Sequence, residues 1–462
     1  MGEGRINVEG IKCIIGGFWL ELFLGCWFLY GNIQVYVTSY LNKQHPGVSL
    51  TDTLIVGPLN VISQAIANPI GTYLLQWFSP RTVLTIGWGT ALSGVILSSY
   101  MTEALPFSLL YGLTYGVGIG IAYLTPLIWG WEHFPNRKGM VSGFIISGFG
   151  LGAFLFGYIS LAIANPENES PELEVAGGKI FHPQMEQSDR SPTMIRVNAT
   201  IWTCLSIIGI IWVTKPSKHL DQDDGYISLD DYEGSNSIDS HEHLEMSLKS
   251  EKKYIGFKEA LLKSATWHVC LMVVISSIQG SFINQIFKSY GELKIPDDAF
   301  ITTVGTVASI SNWVSRIFWA NMQDKFGFKS MYMWLLSMQI LIGTTIGYIS
   351  SSKVLYLLWI NLQYFCIGGY FTLTPTLWAK MYGHQTGGRI YSIMMLFFTI
   401  PNLVTYSLTK FLYHLVGYDV IFYITASTSF LSSVMLLCFK EKEYLVKEDS
   451  VKQTLLEFSK LH

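Results

Sequence analysis

Charge is what this sequence has least of. Only 14% of its 462 residues are Asp, Glu, Lys or Arg, where soluble domains carry about 25%. Half of the residues are hydrophobic and the mean hydropathy is +0.35, so the chain is not built for water. Catalytic constellations are missing too. The sequence holds no H-E-x-x-H, no G-x-S-x-G and no P-loop, and no enzyme activity is expected. The runs GVGIG and GFGLG follow no strand and sit in apolar stretches, which excludes phosphate loops. The six cysteines (Cys13, Cys26, Cys204, Cys270, Cys366, Cys438) lie in or beside apolar segments. Their spacing fits neither a disulfide framework nor a zinc site, so no metal or cofactor is expected. No basic tract calls for nucleic acid. The N-terminus MGEGRINVEG carries no cleavage pattern, so the first apolar segment is expected to stay as a span.

What is present is a series of apolar segments long enough for ~30 Å of hydrocarbon. Twelve spans are expected, at about 14–38, 52–77, 82–101, 105–131, 139–164, 197–214, 267–289, 298–321, 330–351, 354–380, 387–413 and 418–439. An even count puts both termini on one side. Arg5, Lys12, Arg81, Arg137, Lys138, Lys325, Lys329, Lys380, Arg389, Lys440 and Lys442 fall at one face, and few basic residues fall at the other. The positive-inside rule makes that basic face, and both termini, cytoplasmic. The expectation is an integral, multi-pass membrane protein in contact with the bilayer. Its organisation reads as a six-helix half at 1–214, an acidic disordered linker at 215–265, a second six-helix half at 266–440 and a cytoplasmic tail at 441–462. The outer loop 165–196 contains Asn168-Glu169-Ser170, which makes Asn168 a glycosylation candidate.

The halves repeat. Leu124-Thr125-Pro126-Leu127-Ile128-Trp129 returns as Leu373-Thr374-Pro375-Thr376-Leu377-Trp378, an offset of 249, and Phe78-Ser79-Pro80-Arg81 returns as Phe326-Gly327-Phe328-Lys329, an offset of 248. Two matches at nearly one spacing indicate an all-α protein of two pseudo-symmetric six-helix halves, with a site between them near the midplane.

One cation lies deep in a span. Arg316 is roughly 12 Å along the helix axis from the charged turn that opens at Asp324, too deep for a surface cap. A charge there costs at least ~2.5–3.5 kcal/mol, so it faces protein or a wet cavity. Its guanidinium fork suits a carboxylate bound by two parallel hydrogen bonds. The bland alternative is a structural arginine paired with a carboxylate or carbonyls and touching no substrate. Asn312 is on the same helix face, and Asn68 stands at the repeat position of Arg316. Glu21 is the one acid well inside a span, and it admits three readings: a partner for Arg316, a proton carrier, or a side chain snorkelling to the interface. Tyr30, Gln34, Tyr123 and Tyr370 are further candidates for the cavity wall. Arg81, Arg137, Lys138, Asp324, Gly327 and Lys329 mark the turns at the basic face and are candidates for a gate. Glycines crowd spans four and five, where close packing of small residues explains them.

The turn Asp324-Lys325-Phe326-Gly327-Phe328-Lys329 resembles the acidic-basic-glycine loop of the major facilitator superfamily. The first-half copy, GTYLLQWFSPR, has Gln76 where the family has an acid and Ser79 where it has a glycine. Within the superfamily, four features are similar to the oxalate–formate antiporter and monocarboxylate transporter group. They are LGCWFLYGNIQVY, YGLTYGVGIGIAY, FPNRKGMVSG, and Asn312-x-x-x-Arg316 followed by Trp319 and Asp324. The resemblance implies a secondary transporter in which Arg316 binds the substrate carboxylate. In the monocarboxylate branch an acid stands where Asn312 is. In the oxalate branch a span-eleven lysine stands where Met394 or Met395 is. One cation in place of two implies a monoanion, with protons or a counter-anion as the coupling species. The rival expectations are a transporter of an amino acid or neutral metabolite, and a non-transporting sensor that signals through the linker.

Overall fold

The computed structural model describes residues 7–167, 169, 171–175, 178–216, 256–295 and 297–441. Most of the expected linker and tail, and the acceptor candidate Asn168, lie outside these residues. Twelve helical segments follow one another within them. Span one runs from Val8–Leu24 through a tight turn into Tyr30–Gln44. Spans two to six are Leu50–Leu74, Pro80–Ser98, Ala104–His133, Lys138–Ala164 and Ser191–Trp212. Spans seven to ten are Ser264–Lys294, Asp298–Phe326, Phe328–Ile349 and Lys353–Tyr382. Span eleven is broken, His384–Phe397 and then Thr399–Ser407, and span twelve is Tyr413–Cys438.

Helices are the expected solution, since hydrocarbon offers backbone groups no other partner. Nine of the segments are individually long and apolar enough to cross a membrane. Spans three, eight and eleven complete the bundle. Span eight carries Arg316 and a charged end, and span eleven breaks at Phe398. Short polar caps set the ends. Asn7 accepts the Gly10 amide at 2.8 Å, and Asp297 accepts the Phe300 amide at 3.0 Å.

The two halves pair their helices alike. Spans one and six, two and four, three and four, and three and six pack together. Their counterparts seven and twelve, eight and ten, nine and ten, and nine and twelve do the same. The tie between the third element and the sixth is also repeated. Arg81 donates to the Ile211 carbonyl at 2.9 Å, and Lys329 donates to the Leu437 and Phe439 carbonyls, each at 2.9 Å. The halves meet through two symmetric crossings, span five on span eight and span two on span eleven.

Glycine sets how closely these helices approach. A Cβ at Gly148 would overlap the Phe18 carbonyl oxygen of span one, and one at Gly25 would overlap Phe149 of span five. The far end of span one is covered by the outer loop. That loop forms a short antiparallel hairpin, Leu173–Val175 with Gly178–Ile180. Phe181 stacks on Tyr36 with centroids 5.4 Å apart, its amide donates to Ser39 Oγ at 3.0 Å, and Lys43 pairs with Asp189 at 2.5 Å. Asn198, the other sequon asparagine, is buried and donates to Ser160 Oγ at 2.7 Å, which removes it as a glycosylation site.

Gly148→Ala is expected to lower stability by about 1–3 kcal/mol, the cost of overpacking. Gly89→Ala, which meets nothing within 4 Å, is expected to leave it unchanged or slightly raised. Thermal unfolding of the two variants in detergent checks this.

Candidate functional site

Arg316 lies at the crossing of span eight on span five. Its side chain is 2% exposed. Nη1 donates to the carbonyl oxygen of Ile146 on span five at 2.9 Å, and Nε donates to Asn312 Oδ1 at 3.2 Å. Asn312 in turn donates to the Tyr364 carbonyl at 3.0 Å, so it orients the arginine, as its place on the same helix face predicts. Phe371 and Phe149 lie against the guanidinium carbon, with centroids 5.4 and 5.9 Å away. Both hydrogen-bond acceptors are neutral. Five N–H donors less these two bonds leave three with no hydrogen-bond partner among the described residues.

Tyr123, Tyr391 and Glu21 are ionisable groups within electrostatic reach of Arg316. They come from spans four, eleven and one. The centre therefore draws on both halves, with Arg316 and Tyr391 from one, and Glu21 and Tyr123 from the other. Tyr391 lies within electrostatic reach of Tyr123, without the geometry of a well-formed hydrogen bond. Glu21 is fully buried, and neither carboxyl oxygen has a hydrogen-bond partner among the described residues. The snorkelling reading of Glu21 is thereby overturned.

The other candidate residues are placed differently. Tyr30 donates to the Thr53 carbonyl at 3.0 Å, and Gln34 donates to the Leu50 carbonyl at 3.0 Å and to Thr53 Oγ1 at 3.1 Å. Tyr370 donates to the Ser276 carbonyl at 2.7 Å and to Gln339 Oε1 at 2.6 Å. All three make these bonds within their own half, and none bonds to Arg316. Asn68 is buried on span two against span four, beside Gly120. One turn further, Thr72 reaches Ser392 of span eleven at 3.2 Å across the halves.

The basic face is latched shut. Asp324, at the end of span eight, accepts the amides of Gly139 and Met140 at 3.2 and 2.9 Å and pairs with Lys380 at 2.8 Å. Its carboxylate thus sits on the unpaired amides and positive dipole end of span five in the other half. Lys138 donates to the Ala379 carbonyl at 2.9 Å, and Thr376 donates to Ser142 at 3.0 Å. The glycine face of span five makes this fit possible. A Cβ at Gly139 would lie 2.5 Å from the Ala320 carbonyl oxygen and 2.6 Å from Asp324 Cγ, and one at Gly143 would overlap Ala320. Gly327 turns the chain with φ 81°, a conformation favouring glycine. Glu441 then accepts the Phe328 and Lys329 amides at 2.8 and 2.9 Å. Of the gate candidates, Asp324 and Lys138 bridge the halves, Arg81 and Lys329 act within one half, and Arg137 is exposed.

Asn284 and Gln285 of span seven are exposed, and Gln285 contacts Asn402 of span eleven at 3.4 Å. They lie about 14 Å along the helix from its end at Lys294. Exposed amides that deep face water rather than hydrocarbon.

Three features were missed by reasoning from sequence. Tyr391 opens the stretch YSIMMLFF, whose neighbours are mostly apolar. Ile146 contributes a carbonyl, which has no sequence signal. Lys380, read only as a topology marker, is the ion partner of Asp324.

Residues 269–461 match the family model of the Major Facilitator Superfamily. The chain is similar to apicoplast pyruvate carrier 1 of Toxoplasma gondii, with 24% identity over 452 residues, covering 85% of this chain and 81% of that one. It is 31% identical over 147 residues to the oxalate:formate antiporter of Oxalobacter formigenes, which covers 31% of this chain and 35% of that one. Among solved structures it superposes on the proton:xylose symporter XylE with TM-score 0.68 and 14% identity, over 96% of this chain and 98% of that one. It superposes on FucP in the outward conformation with TM-score 0.64 and 11% identity, over 92% and 98% of the two chains.

Asp324→Ala is expected to loosen the latch by up to ~2 kcal/mol, the scale of a partly buried charge on a helix end. A cysteine placed at Ala379, which is fully buried, should then be alkylated about tenfold faster than with Asp324 intact, a ratio corresponding to ~1.4 kcal/mol.

Proposed function

We propose that the chain is a transporter of the major facilitator superfamily and that it carries a small monocarboxylate across the membrane, with Arg316 holding the carboxylate. The observation that carries this reading is a buried guanidinium, between the halves, whose protein partners are neutral and whose remaining donors are unspent. A desolvated cation without an anionic hydrogen-bond partner is an incomplete site, and a carboxylate completes it with two parallel bonds.

The size of the charge follows from the neighbours. The groups that interact with Arg316 are two phenols and one acid, with no second cation. Phenols donate hydrogen bonds without adding charge. Tyr123 and Tyr391 therefore suit a neutral oxygen next to the carboxylate, as in 2-oxo and 2-hydroxy acids, better than a second carboxylate. The relatives agree in class, since one is named a pyruvate carrier and another an oxalate:formate antiporter. Rocking of the halves about this centre, which would release the latched basic face, is the transport step. On the positive-inside reading the far face is external.

One observation favours a second reading. The bond from Nη1 to the Ile146 carbonyl also staples span eight to span five, as a structural arginine would, and the solute would then be something else. Purified protein in proteoliposomes separates the two by exchange of labelled pyruvate against a panel of carboxylates, amino acids and sugars. Exchange by pyruvate and its relatives, with at least about a tenfold loss of affinity in Arg316→Lys, where the bidentate fork is lost but the charge remains, supports the carboxylate reading. An Arg316→Lys protein that folds and exchanges normally sinks it.

A further inference from the structure

We infer that an anionic phospholipid from the leaflet at the basic face binds in a cleft behind span eleven, with its phosphate held by Lys263 and Arg389 and an acyl chain laid against Ile393 and Cys270. The inference goes beyond the carriage of a solute and does not depend on which solute is carried. The cleft lies between the short helix Phe257–Leu262, the start of span seven and the first part of span eleven. Leu261, Trp267, Cys270, Ile390, Ile393 and Met394 line it. Trp378, whose indole donates to Met394 Sδ at 3.4 Å, backs it.

Two bonds fix the short helix beside this opening. Trp267 Nε1 donates to the Leu261 carbonyl at 2.8 Å, and Thr266 Oγ1 donates to the Ala260 carbonyl at 2.6 Å. Two large side chains are left on the outside. Leu262 is 85% exposed and Trp267 is 44% exposed. A bare leucine near a half-exposed indole suits the boundary between headgroups and acyl chains, where tryptophan gathers.

The cleft is polarised along the membrane normal. Spans seven and eleven both run inward from the basic face. Ile393 lies one turn deeper than Arg389 and on the same side of span eleven. Trp267 lies about one turn deeper than Lys263, which immediately precedes span seven. Each wall thus carries a cation at the basic end and an apolar group beyond it. Both cations are partly buried, and neither side chain has a hydrogen bond or ion pair among the described residues. The chain leading into span seven strengthens the field, since residues 249–263 hold five lysines and two glutamates. Basic clusters next to a span attract anionic lipid. A negative head on an apolar tail matches this order of groups. A free anion would leave the apolar walls uncovered, and a zwitterionic lipid would bring its own cation to the two already there. Tyr391 lies on the opposite side of the same helix, so the lipid braces from behind the segment that carries the phenol of the centre.

The test is lipid binding by the full-length protein in detergent, read by native mass spectrometry, with phosphatidylglycerol and phosphatidylcholine of identical chains as probes. Phosphatidylglycerol should bind at least about fivefold tighter, the scale of one basic residue beside an anionic leaflet. Lys263→Gln with Arg389→Gln should abolish that preference, and Arg389→Lys should keep it. Lys263→Gln alone, outside the helix, should lower it and carries the test if Arg389→Gln does not fold. Ile393→Trp, which fills the cleft and leaves both charges, should weaken binding of the lipid. Glycerol 1-phosphate, the head without chains, should not displace it. The inference is overturned if the two lipids bind alike, if the charge variants keep the preference, or if Ile393→Trp binds the lipid as wild type does. Displacement by glycerol 1-phosphate also overturns it, because the site would then hold a bare anion.

Discussion

The cost of holding one guanidinium out of water organises this molecule. Arg316 is surrounded by neutral acceptors and aromatic rings, which lower that cost without neutralising the charge. It shares a helix with Asp324, about 12 Å further along the axis. The proposed anion site and the latch at the basic face are thus two points on one rod. On the proposed function, a shift of span eight at one point would also move the carboxylate at the other, since one helix carries both.

The two halves share a plan and differ in chemistry. Each ties its third element to its last with a basic side chain on terminal carbonyls, through Arg81 in one half and Lys329 in the other. At the centre the equivalence ends. The repeat places Asn68 opposite Arg316, and the acid of the centre comes from span one of the first half. One half brings the cation and the other brings the acid and a phenol, so the centre is complete only when the halves are apposed. That asymmetry makes a symmetric scaffold directional in what it can bind.

Much of this was legible in the sequence. Twelve apolar runs and two repeated motifs gave the fold, because hydrocarbon leaves helices as the remaining option. Arg316 stood out because a charge in such a run is expensive, and its tie to Asn312 followed from helical spacing. What failed to show was rotation. Tyr30, Gln34 and Tyr370 read like cavity residues, yet they face their own half and are satisfied there. Composition cannot tell which side of a uniformly apolar helix looks inward. Backbone partners were invisible for a related reason. The Ile146 carbonyl and the Gly139 and Met140 amides carry no side-chain signature, and Tyr391 was hidden among methionines and phenylalanines.

The glycine face of span five has a thermodynamic side. At Gly139 and Gly143 the neighbouring half meets backbone, because no side chain could fit. A long side chain immobilised at an interface gives up as much as ~1.5–2 kcal/mol of rotamer entropy, and glycine gives up none. Opening and reclosing along this seam therefore reorders little besides the helices themselves. At these two positions the seam closes on backbone alone, and the side-chain entropy of closure is confined to the lysines beside them.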